Sequence, residues 1–167
     1  KIAITKIVVE EVGGKTKIIP GASENTTLMV LRLAKEYADL GVDGIVVTPP
    51  YYFKYDSDGL WRHYSIIAEK TDLPILMYNI PSLTGNNIPV ELITKLAKEY
   101  SNIVGIKVTY DSLSYMRRLI LAVKQERKDF SVLTGSSDYL LPTLILGGDG
   151  GVLALAHICL LYTSPSP

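Results

Sequence analysis

Only one cysteine, Cys159, stands among the 167 residues, so no disulfide can form within the chain and no multi-cysteine metal site can be built. A reducing compartment is the natural setting, which points to a cytoplasmic location. An excess of one charge is lacking too, because 17 Lys and Arg balance 17 Asp and Glu. With no global field to favour polyanions, neither nucleic acid nor a membrane surface is an expected partner. No apolar run approaches the roughly 20 residues that cross a bilayer. Histidine is scarce: His63 and His157 lie far apart, with no triad order and no metal-ligand spacing around them. Each reads as structural or solvated, and neither a metal nor an organic cofactor is expected. The opening residues, Lys1-Ile2-Ala3-Ile4-Thr5-Lys6, hold no initiator Met and no signal-peptide layout, and they start inside a helical pattern. The expectation is a fragment.

What is present is a repeat. Short β-branched runs at 17–20, 44–48, 74–78, 103–108, 131–134 and 151–155 alternate with longer stretches of helical period. Ser23 or Asn25 is placed to cap a helix with Leu28, Leu31, Ala34 and Ala38 on its apolar face, closed by Gly41. Ser112 opens another, with Met116, Ile120 and Val123 on one side, while Pro142 predicts a short or kinked helix over 138–146. A regular βα repeat means parallel strands joined by helices, closed as a barrel or open as a doubly wound sheet. Open-sheet nucleotide sites need glycine-rich turns after the first strand. Here Gly13-Gly14, Gly41 and Gly147-Gly148-Asp149-Gly150-Gly151 come before strands, where they read as tight helix-to-strand turns. The stretches after the strands are richer in polar and aromatic groups, which favours the barrel, whose ligands bind at that end.

Lys107 is the residue least suited to its surroundings, a lysine inside an apolar β-run. Gly105, Lys107 and Thr109 share one face of the strand, and Val104, Ile106 and Val108 share the other. The apolar face suits the covering helices, leaving the lysine to turn into the barrel. An amine held there without a carboxylate is poorly hydrated, the condition under which lysine attacks a ketone. The competing interpretation is a lysine that snorkels from the strand end into a salt bridge. Tyr78, near the end of its own run, could shuttle protons or make one structural hydrogen bond. Tyr51 and Tyr52, after Pro49-Pro50, fit ordinary loop aromatics or an interface contact.

Three stretches together resemble the dihydrodipicolinate synthase / N-acetylneuraminate lyase family of pyruvate-type class I aldolases. They are Val47-Thr48-Pro49-Pro50-Tyr51-Tyr52 followed by Gly59, Tyr78-Asn79-Ile80-Pro81-Ser82-Leu83-Thr84-Gly85, and Val104-Gly105-Ile106-Lys107, in matching order and spacing over about residues 1 to 157. The resemblance implies a (β/α)₈ TIM barrel, incomplete here with about six of eight strands and the N-terminal part missing, as a partial domain over 1–158. It implies that Lys107 forms a Schiff base with a 2-keto acid and that Tyr78 transfers protons. Tyr52 would join a tyrosine relay completed across a subunit interface, in a homotetrameric full-length parent. Thr48, Leu83, Thr109, Gly135 and the backbone of Leu153 would contact substrate. The family's carboxylate-binding Gly-Thr-Thr-Gly-Glu stretch is expected upstream of Lys1.

Substrate choice turns on Leu83. Members that make dihydrodipicolinate carry an arginine in this stretch to pair with a second carboxylate, and leucine cannot form that bidentate pair. The ranking is therefore a 2-keto-3-deoxy sugar acid aldolase, then a neuraminate-type lyase, then a dihydrodipicolinate synthase. Two other classes compete. A sugar-phosphate aldolase would use Thr134-Gly135-Ser136-Ser137 for phosphate, and a non-catalytic keto-acid-binding barrel or inactive fragment would retain affinity after Lys107→Arg. The tail 159–167 resembles non-native read-through or a disordered Ser/Pro segment, and no function is attached to it.

Overall fold

Most of the β-branched runs become strands. The computed structural model describes residues 1–158, in which five runs do so: β1 (Ile45–Val47), β2 (Ile75–Asn79), β3 (Ile103–Val108), β4 (Ser131–Thr134) and β5 (Gly150–Gly151). All pair in parallel, in the sequential order β1-β2-β3-β4-β5. The helices are α1 (Ile2–Val12), α2 (Thr27–Asp39), α3 (Ser57–Lys70), α4 (Pro81–Thr84), α5 (Val90–Glu99), α6 (Leu113–Glu126) and α7 (Leu140–Ile145). A doubly wound sheet reverses its strand order at a switch point, whereas this order runs straight through, as in an arc of a barrel.

One face of the arc carries Ile45, Val47, Ile75, Met77, Ile106, Val108 and Val132, all buried in one cluster with Ala34, Tyr64, Ile67, Ile93, Leu96, Leu119 and Val123 of the helices. Burying this apolar surface is the main stabilising term. The opposite face is the lumen. Lateral register puts Val46, Leu76, Gly105 and Ser131 in one row, and Tyr78, Lys107 and Leu133 in the next.

Five local expectations need correction. Val104 does not share the helix-facing side of β3. The β2–β3 register skips it, pairing Ile75 with Ile103 and Leu76 with Gly105, so a bulge turns Ile103 toward the helices instead. Residues 17–20 form no strand. Pro20 has no N–H to extend a ladder, and only a single bridge from Gly21 to Val46 follows it. The last run stops at Gly151 and turns into a 3₁₀ helix at Ala154–His157, because its partner β4 ends at Thr134. Strands therefore number five among the described residues, not six. The cap of α2 is Thr26, whose hydroxyl accepts from Met29 N–H, while Ser23 Oγ instead accepts from Thr48 N–H at 3.2 Å. The buried stripe of α2 is Val30, Ala34 and Tyr37, with Leu28 and Ala38 exposed.

Other signals hold. Ser112 caps α6 by accepting from Tyr115 N–H, and Pro142 sits in the short α7. Gly41 ends the turn after α2 at φ +77°, a conformation L side chains rarely adopt. No helix among the described residues is long and apolar enough to cross a membrane. Cys159 and the tail 159–167 lie outside the described residues.

Candidate active site

Tyr78 on β2 and Lys107 on β3 are direct lateral partners, so both side chains leave the lumen face at one level. The Lys107 amine lies 4.3 Å from the centre of the Tyr78 ring. Thr109, two residues beyond Lys107, keeps the same facing, and its Oγ1 shares a 3.1 Å hydrogen bond with the Tyr78 hydroxyl. Its own N–H donates to Asn79 O at 2.8 Å, which extends the β2–β3 ladder past Val108. Gly135 closes the cluster from β4 by donating its N–H to Val108 O at 2.7 Å. A methyl group on Gly135 would overlap Thr109 Oγ1 and stand 2.8 Å from Lys107 Cε, so only glycine allows this approach. Among the described residues no carboxylate pairs with Lys107, and the strand-end salt bridge of a snorkelling lysine is not formed.

Two cavities adjoin this cluster, one lined by Tyr78 and the other by Thr109. One, of about 540 Å³, is lined by Thr48, Tyr51, Tyr78, Leu83 and Thr84 among others. Thr48 Oγ1 is buried there without a hydrogen-bond partner. The second, of about 590 Å³, is lined by Ser82, Thr109, Tyr110, Asp111, Ser136, Asp138 and Tyr139. The Tyr139 hydroxyl donates to Asp111, tying the loop after β3 to the loop after β4 and raising the tyrosine's pKa.

Lys107, Tyr78, Thr109 and Gly135 are thus brought together, with Thr48 and Leu83 on the adjoining wall. Tyr52 and Leu153 make no hydrogen bond or ring contact with this cluster. Tyr52 is 87% exposed and edge-on to Phe53 at 4.9 Å, and its φ of +86° is the one positive value at a non-glycine among the described residues. Leu153 is buried just past β5, where Val152 N–H donates to Thr134 O at 2.8 Å. Missed from sequence were Ser82, Asp138 and Tyr139 of the second cavity. Their only signal was the general polarity of the stretches that follow the strands. No group of three or more His, Cys, Asp or Glu side chains gathers among the described residues.

His63 of α3 is structural. It is buried, with Nδ1 2.9 Å from Thr27 Oγ1 and Nε2 3.3 Å from Thr48 O, so it links α2 to the end of β1. Burial pushes its pKa down from 6.5 to about 4, against the opposing pull of the Thr48 carbonyl. Between those values the unfolded chain binds a proton that the folded chain refuses, so stability falls as pH drops from 6.5 toward 4. The expected loss is roughly 3 kcal/mol. Urea unfolding across this window should show that loss in the native protein and lack it in His63→Gln. Equal pH slopes in the two proteins would refute the assignment.

The model of the dihydrodipicolinate synthetase family matches residues 1–161. A DapA-like lyase of Thermofilum pendens is 55% identical over 156 residues, which cover 93% of this chain and 52% of the relative. A probable 2-dehydro-3-deoxy-D-pentonate aldolase of Escherichia coli K12 is 40% identical, covering 94% of this chain and 52% of that protein. The crystal structure of YagE, an E. coli K12 prophage protein of the dihydrodipicolinic acid synthase family in complex with pyruvate, superposes with a TM-score of 0.89 at 36% identity. That match covers 92% of this chain and 52% of YagE. The chain spans about half the length of the curated relatives it matches. Its sequential parallel arc is the corresponding part of their α/β barrel, and the chain belongs to the dihydrodipicolinate synthetase family of lyases.

Proposed function

We propose that the full-length protein is a class I aldolase that holds a 2-keto acid as a Schiff base on Lys107. The observation that carries this reading is the Lys107 amine, free of any ion pair among the described residues and set over the Tyr78 ring at the strand ends. Its nitrogen adds to the C2 carbonyl, and the carbinolamine loses water to give an iminium. Deprotonation of the C4 hydroxyl then breaks the C3–C4 bond, and its electron pair is taken up by the iminium as an enamine while the aldehyde departs. Protonation at C3 and hydrolysis release pyruvate and restore the amine. Tyr78, bonded to Thr109 Oγ1, is placed to pass the protons of the carbinolamine and cleavage steps.

A 2-keto-3-deoxy sugar acid is the substrate class this site favours. The second cavity offers Ser82, Ser136, Asp111 and Asp138, acceptors that suit a polyhydroxylated, uncharged aldehyde and repel a phosphorylated one. Leu83 supplies no cation for a second carboxylate. The E. coli relative named for a 2-dehydro-3-deoxy-pentonate supports the same choice, and the pyruvate complex of YagE supports the keto-acid unit. Thr48 lines the first cavity beside Tyr78, and Leu153 offers backbone groups past β5. Tyr52, exposed and strained, fits a group completed by a neighbouring subunit of a homotetramer in the cytoplasm.

Sodium borohydride reduction of the full-length protein in the presence of pyruvate tests the reading directly. Peptide mass spectrometry should find the reduced pyruvyl adduct on Lys107. A folded protein that yields no adduct, or carries it on another lysine, would sink the mechanism.

A further inference from the structure

We propose that Asn86 is a positioning residue for catalysis, which clamps the aromatic loop 50–55 and so fixes Tyr51 in the wall of the cavity it shares with Tyr78 and holds the strained backbone of Tyr52. This rests on the aldolase reading and adds to it a residue remote from the reacting atoms. Asn86 follows α4 and is 3% exposed. Its Nδ2 donates to Pro50 O and to Phe53 O, both at 2.8 Å, and its Oδ1 accepts from Tyr55 N–H at 2.8 Å. The partners dictate this orientation, since a flipped amide would set oxygen against two carbonyls and an N–H against an N–H.

These three bonds fall on both sides of residue 52. Tyr52 holds φ at +86°, a conformation costly for a side chain with a Cβ and kept only where the surroundings over-determine it. The side chain of Tyr52 gives little such support, because it is exposed. The backbone clamp supplies it. The same clamp keeps Tyr51 in the wall of the cavity that also contains Thr48 and Tyr78. Asn86 itself is held from behind, where Thr84 Oγ1 donates to Asn86 O at 3.0 Å. The loop is thereby tied to the end of β2, the strand that carries Tyr78.

Other side chains fit poorly. Aspartate would keep the acceptor for Tyr55 N–H but face two carbonyls with a carboxylate. Glutamine is one methylene too long for the same three partners. Alanine takes away the shared partner of the Pro50 and Phe53 carbonyls and of Tyr55 N–H, and so frees the loop.

The decisive comparison is Asn86→Ala in the full-length protein, assayed for aldol cleavage and for borohydride trapping of pyruvate at Lys107. Lys107 touches Tyr78 and lies against Gly135, neither of which belongs to the loop. Trapping at saturating pyruvate should therefore persist, while kcat falls roughly 100-fold as the loop loses its register. A purely structural role would lower trapping and kcat together, through the folded fraction, and that result would overturn the proposal. So would an unchanged kcat. Should the variant not fold, hydrogen exchange on the native protein decides: Tyr55 N–H should be protected with the strand amides, and exchange at the free-chain rate would refute the clamp. Failure of the aldolase reading is separate, since it would show as absent trapping before any substitution.

Discussion

Lys107→Arg is expected to eliminate pyruvate trapping and to lower aldol cleavage by at least about 1,000-fold, with little change in stability. Arginine keeps a positive charge on a long stem near the Tyr78 ring. It remains protonated, however, and offers no amine lone pair to a carbonyl. The substitution thus separates charge from nucleophilicity. Stability should change little because Lys107 has no ion-pair partner among the described residues to leave unsatisfied. Adduct mass spectrometry, steady-state kinetics and a thermal melt together read all three quantities. A keto-acid-binding barrel without catalysis predicts the reverse pattern, with pyruvate affinity nearly intact in Lys107→Arg and no adduct in the native protein. Loss of activity accompanied by a large loss of stability would point to a structural lysine and against both readings.

Much of the architecture follows from local pattern. The run at 103–108 could be read as a strand because its β-branched residues lie between polar turns, and the odd lysine within it marked the lumen face. Ser112 declared its helix because a cap is a short-range device, satisfied three residues away by Tyr115 N–H. Thr26 was missed as a cap because two nearby candidates carried the same signal. What excluded Ser23 was a long-range bond to Thr48 N–H, which no local window contains. The bulge at Val104 has the same origin: the neighbouring strand sets it, not the alternation of residues 103–108. Asn86 and Asn79 illustrate the limit for the site. Asn79 is fully buried, with its amide bonded to Asn87, Tyr115 and Ile88 N–H, and Asn86 reaches back more than thirty residues to its loop. An asparagine in a Gly-Asn-Asn-Ile-Pro stretch reads as turn chemistry, and only the packed barrel reveals which carbonyls it answers. The mouth residues Asp138 and Tyr139 were invisible for a different reason. Exposed acids and tyrosines are common, and what marks these two is the cavity wall they share with Thr109.

Gly135→Ala provides the second large effect, and it tests geometry with a single methyl group. The backbone at Gly135 lies outside the left-handed region, so alanine suits its conformation and the cost is steric alone. The added carbon would overlap Thr109 Oγ1 and press within 2.8 Å of Lys107 Cε. Relief requires Thr109 to swing away from the Tyr78 hydroxyl or the lysine stem to shift, and either displaces the proposed nucleophile from its proton carrier. Overpacking of this kind costs about 1–3 kcal/mol in stability. The same displacement, of the order of an ångström at the reacting atoms, should lower kcat roughly 100-fold. Gly41→Ala supplies the contrast. Nothing lies within 4 Å of its added carbon, but φ is +77°, so the cost is conformational and falls far from the lysine. That variant should lose about 1–2 kcal/mol of stability and retain its kcat. Unfolding and turnover measured on both proteins should therefore dissociate, with activity lost in Gly135→Ala well beyond what its stability predicts. If Gly135→Ala retains native kcat, then Lys107, Tyr78 and Thr109 do not work as one catalytic unit.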